Sequence, residues 1–164
     1  MSVDGVHCRI WEPRHDPSTK WYSKKFNKAA LTYLVAIAIF HDIVVYVDGP
    51  YPASKNDWAM FTREGGLASL IPAGKMGIGD EGFKFDATRC ATYNQFDSDD
   101  VFQFKSRCKA RQESFNSRLK AFRILSEDFR CTGETRLEKH GKVFRSCVLI
   151  CQYDMDNGRG LMKV

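Results

Sequence analysis

The first residues of the chain alternate. Val3, Gly5, His7 and Arg9 fall on one side, and Asp4, Val6, Cys8 and Ile10 on the other. A period of two is that of a strand, here predicted over 2–11 and ending at Glu12-Pro13. Residues 12–28 are polar, hold two prolines and several bases, and read as a loop or hairpin connection. Ala29 to Phe40 is a continuous β-favouring apolar run, as in a strand buried on both faces. A turn at His41-Asp42 and the run "IVVYVD" (Ile43 to Asp48) complete a predicted antiparallel hairpin. Gly49-Pro50-Tyr51-Pro52 is expected to break the sheet. Ser54 or Asn56 then caps a helix running to about Leu70, with Trp58, Phe61 and Leu67 on its buried face. "MGIG" (76–79) is a short strand followed by Asp80-Glu81-Gly82, and another short strand fits near Arg89 to Tyr93.

Asp97, Ser98, Asp99 and Asp100 mark the start of a long helix to about Ser126, because capping side chains and carboxylates favour the positive end of a helix. At 100° per residue, Val101, Phe104, Cys108, Phe115, Leu119 and Phe122 form one apolar stripe. A last helix is predicted over Lys142 to Tyr153 and ended by Asp156-Asn157-Gly158. Leading strands followed by mixed elements place the chain in the α/β class, with a central mixed sheet and helices packed on it. Its 164 residues suit one domain, 1–164.

Composition narrows the possibilities. The longest apolar run, "ALTYLVAIAIF", is shorter than the roughly 20 residues of a membrane span. "MSVDGVHCRIW" lacks the zones of a signal peptide, so an intracellular rather than secreted protein is expected. Cys8, Cys90, Cys108, Cys131, Cys147 and Cys151 are irregularly spaced and read as small, reduced, packed side chains. A zinc module on Cys147 and Cys151 lacks the other ligands it would need.

Charge changes the picture more. The net charge is +5, and between Val101 and Ser126 seven bases face a single acid, Glu113. Such a stripe points to a polyanion partner. Glu113 shares a polar face with Lys109, Asn116 and Lys120; with Lys105, these are the candidate DNA contacts. The plain reading of Glu113 is an exposed ion pair with Lys109, worth about 0.3–0.5 kcal/mol. The sharper reading adds two acids beside glycines at strand ends, Asp4 and Asp80. Mg²⁺ is usually held by one or two carboxylates plus substrate phosphate, and two such ions clamp the oxygens of a phosphodiester. Spacing alone leaves open whether the three acids meet, and Asp80 also suits a simple turn.

"VDGVHCRIWEP", "WYSKK", "IVVYVDGPYPASKNDWAMF", "GIGDEGF" and "RQESFNSRLKAFRIL", in this order and spacing, resemble the nuclease domain of Harbinger-type transposases, which are DDE superfamily endonucleases. The resemblance covers roughly Val3 to Arg130, with a weaker match at "VLICQYDMDNG". It implies an RNase H-like fold, a mixed five-stranded sheet flanked by helices. It implies Asp4, Asp80 and Glu113 as catalytic, metal-binding acids, with two Mg²⁺ or Mn²⁺ ions as cofactor. The chemistry implied is cutting and joining of DNA by in-line attack, without a covalent enzyme intermediate, in the nucleus. Asp57 lies in a family-like stretch but is assigned to the start of a helix rather than to the triad. The chain departs from the family at Asn56, where His is frequent, and in the absence of the helix-turn-helix region expected before Asp4. A separate DNA-reading partner is one consequence; another is a domesticated module that binds nucleic acid or protein without cutting.

Overall fold

The computed structural model describes residues 1–14, 16–130 and 135–164; His15 and Cys131 lie outside the described residues. Six strands form one mixed sheet: β1 (Ser2–Arg9), β2 (Tyr22–Ser23), β3 (Lys28–Ile37), β4 (Val44–Pro52), β5 (Gly77–Ile78) and β6 (Cys90–Ala91). Among the described residues five α-helices accompany them: α1 (Asp57–Phe61), α2 (Leu67–Leu70), α3 (Asp99–Ala121), α4 (Arg123–Ser126) and α5 (Arg136–Asp156). The order across the sheet is β2-β3-β1-β5-β6, with β4 also paired to β3. β1, β2, β3 and β4 pair antiparallel, and β5 and β6 run parallel to β1. Six strands replace the expected five; the extra pair of residues, β2, lies in the segment read as a loop or hairpin connection and pairs with β3.

The central strand behaves as its apolar run predicts. Every residue from Ala30 to Ile37 is buried. Because side chains alternate across a strand, Leu31, Tyr33, Val35 and Ile37 pack with Phe115, Leu119, Phe144 and Val148 on the α3–α5 side. Leu34 and Ala36 pack with Met60, Phe61, Leu67 and Phe83 on the other. The five described cysteines are free and buried, as expected of small packed side chains.

Four boundaries differ from expectation. β4 does not stop at Gly49-Pro50: its register to β3 shifts there and pairing resumes at Tyr51 and Pro52. Gly49, at φ +120, supplies the irregular backbone, and among the described residues β4 pairs only with β3, so a proline is tolerated on its other edge. The single helix expected to Leu70 is split into α1 and α2 because Gly65 takes a left-handed φ of +66. α3 ends at Ala121, where Phe122 turns extended (ψ 115) before α4 begins. α5 starts earlier, at Arg136, and runs through Gly141. A Cβ at Gly141 would stand 3.2 Å from Pro50 Cδ, so the glycine lets the helix approach β4 closely. No helix among the described residues is long and apolar enough to cross a membrane.

Candidate active site

β1 and β5 run parallel with Ser2 opposite Ile78. Two residues further along the chain from each come Asp4 and Asp80, so the register sets the two acids level. β5 ends at Ile78, and Asp80 instead caps the 3-10 turn Glu81–Phe83, its Oδ1 accepting from Gly82 N at 2.8 Å. The sheet is therefore open beside Asp4, just past the carboxyl end of β5. Asp4, Asp80 and Glu113 all line one cleft of about 380 Å³ here, with Lys25, Lys109 and Lys120 around it.

Asp4 is held by a one-way chain of hydrogen bonds. Ser2 Oγ donates to Gln112 Oε1 at 2.9 Å, Gln112 Nε2 to Asn116 Oδ1 at 3.3 Å, and Asn116 Nδ2 to Asp4 Oδ2 at 2.6 Å. Gly5 N donates to the other oxygen, Asp4 Oδ1, at 2.7 Å. Gln112 and Asn116 are buried, so the cost of leaving either amide unpaired keeps the chain intact. Asn116, expected to touch DNA, lines the cleft and donates its amide to Asp4.

Burial, followed by repulsion from Asp80, pushes Asp4 up to about 6. Glu113 is in a different state: its side chain is 62% exposed and its Oε1 lies 3.8 Å from Lys109 Nζ. The expected ion pair is thus present, and the acid lines the cleft as well.

The basic stripe is largely committed to the protein itself. Lys105 Nζ binds Asp97 at 2.7 Å and Thr92 O at 2.8 Å, and the structure does not bring it to the cleft. Arg107 donates to Lys163 O, Arg111 to Asp42 and the carbonyls of Ala38, His41 and Met162, Arg118 to Arg159 O and Gly160 O, and Arg123 to Glu127. Lys109 and Lys120 remain for the cleft, joined by Lys25 from the loop after β2. Burial and the neighbouring Lys25 hold Lys120 below its ordinary value.

A family model described as DDE superfamily endonuclease matches residues 3–152 of the 164. The chain belongs to the DDE superfamily endonucleases. No curated protein and no solved structure matches it significantly. Membership implies a divalent cation and a DNA substrate. The residues of this chain suit such a cation in donor chemistry, because hard carboxylate oxygens are what Mg²⁺ and Mn²⁺ take. They suit it in charge too, because Asp4 is held in a buried place beside the negative charge of Asp80. They are not gathered in advance: among the described residues, no three His, Cys, Asp or Glu side chains form a ready ion site.

Two residues of the cleft escaped the sequence reading. Gln112 sits one turn before Asn116, a spacing that could have marked a shared buried edge. Lys25 carries no local signal, being one base among several in a loop. Asp57 was placed correctly at the first position of α1, with Asn56 as its cap through a 2.7 Å bond from Ala59 N. Its inward turn towards Gly5 is visible only in three dimensions.

Proposed function

We propose that this chain is a transposase-type catalytic domain of Harbinger kind, cutting DNA at the Asp4–Asp80–Glu113 cleft. One observation carries the reading: parallel pairing sets Asp4 level with Asp80, and α3 brings Glu113 to the same opening. The strand order supports an RNase H-like sheet over a single domain: without β2, it is three antiparallel strands and then two parallel ones. Asp4, Asp80 and Glu113 would hold two Mg²⁺ or Mn²⁺ ions, which supply positive charge at the attacking and leaving oxygens of a phosphodiester. Asn116 keeps Asp4 oriented. Lys25, Lys109 and Lys120 hold backbone phosphates, which positions DNA without reading its sequence. Lys109 can exchange Glu113 for a phosphate, releasing the acid when DNA arrives.

Asp80→Asn is the test. With Mn²⁺ and duplex DNA, cleavage should fall by roughly 100-fold or more, the scale of losing one charge-stabilising group, while DNA affinity stays near wild type. Cleavage that survives the change overturns the site. Wild-type protein that binds DNA but never cuts it is a domesticated binding module.

A further inference from the structure

Asp57 opens α1, where a carboxylate gains from the positive helix end. An acid serving only that purpose points to solvent. Asp57 turns inward: a Cβ built on Gly5 would lie 2.2 Å from its Oδ1, and one built on Gly82 would lie 3.2 Å from its Oδ2. These two glycines are the neighbours of the cleft acids, since Gly5 N donates to Asp4 and Gly82 N to Asp80. Among the described residues its carboxylate has no hydrogen bond or ion pair of its own.

We propose that Asp57 is a fourth acid of the cation site, reaching Asp4 and Asp80 from the opposite face of β1. The proposal rests on the cleft being a divalent-cation site. Alternation along β1 sends Asp4 towards α3, and the space left by Gly5 towards α1. Asp57 occupies that space. The absence of a side chain at Gly5 is therefore what lets α1 deliver a charge to the strand end. Burial, then Asp4 and Asp80, push Asp57 up to about 6, so the three acids already feel one another. With Asp57 ionised, a divalent ion meets one more negative charge than Asp4 and Asp80 offer, and binds more tightly. Asp57 is a positioning and charge-setting residue for the ion, distinct from the triad acids that face substrate.

Mn²⁺ binding is measured by calorimetry, and melting of the metal-free protein by calorimetric scan, on wild type, Asp57→Asn, Gly5→Ala and Asp80→Asn. Asp57→Asn should weaken Mn²⁺ by about 10-fold or more, the scale of groups that tune a metal from outside its direct ligands, and should raise the metal-free melting temperature by removing repulsion. Gly5→Ala leaves every charge in place but its methyl displaces Asp57, and should weaken Mn²⁺ in the same direction. Wild-type Mn²⁺ affinity in both Asp57→Asn and Gly5→Ala overturns the assignment, and Gly5→Ala alone decides it if Asp57→Asn does not fold. If Asp80→Asn weakens Mn²⁺ and those two do not, only the role of Asp57 falls. If wild type binds no Mn²⁺, or Asp80→Asn binds it unchanged, the cation site itself is refuted.

Discussion

His140 is fully buried, with Tyr33 Oη 2.6 Å from its Nδ1 and Phe129 edge-on to the ring at 4.8 Å. Burial pushes its imidazole down to about 4. The native state therefore holds it neutral, while the unfolded chain protonates near 6.5. Its stabilising contribution is complete above pH 6.5 and is lost as the pH falls towards 4. Asp4 and Asp57, held above the usual carboxylate range, act the other way, favouring the native state as the pH falls below 6. Comparison with His140→Phe isolates the imidazole. In urea unfolding, wild type should lose about 2–3 kcal/mol relative to that variant between pH 7.5 and 4.5. An unchanged difference would mean that the ring is not held neutral.

At the scale of elements, the turn between β3 and β4 serves as a clamp. Asp42 Oδ1 accepts from Arg111 Nη2 at 2.6 Å and from Leu161 N at 3.0 Å, and Gln152 of α5 donates to Asp42 O at 2.8 Å. Arg111 and Arg118 of α3 hold the carbonyls of the last residues, and Leu161 is buried in the core. One turn thus ties two helices and the C-terminal segment together. Asp42→Ala leaves the nearly buried Arg111 guanidinium short of its counter-charge and should cost about 1–3 kcal/mol. Glu127→Gln, which removes an i,i+4 partner of the 86% exposed Arg123, should change stability by less than about 0.5 kcal/mol. Equal costs in denaturant melts would contradict this account of where the bases act.

Over the whole molecule, the +5 charge is not a uniform DNA-binding surface. Five of the seven stripe bases are committed to the protein's own carbonyls and carboxylates, while Lys25, Lys109 and Lys120 surround the cleft. Each phosphate contact contributes about 0.9 to the salt slope of duplex binding. Replacing all three lysines by Ala should therefore lower the slope by roughly 2–3, whereas Arg107→Ala should leave it unchanged. A slope that follows Arg107 and ignores the lysines would move the DNA elsewhere on the molecule.

Local order was readable before any fold. The period of two in β1, the unbroken apolar run of β3, the acids that open α3 and the Asn157-Gly158 stop of α5 are each decided by neighbours a few residues away. The acids Asp4, Asp80 and Glu113 could be singled out for the same reason, from glycines and bases beside them in the chain. What the sequence left open was decided by pairing across long separations. β4 continues past Pro50 because β3 is there to receive it, and α5 runs through Gly141 because Pro50 packs against that gap. Asn116 serves Asp4, and Asp57 turns in towards Gly5, only because α3 and α1 pack on opposite faces of one strand. Periodicity records which side of its own element a residue takes; which charge then stands opposite is a property of the packed chain, where burial makes an unpaired carboxylate costly enough to matter.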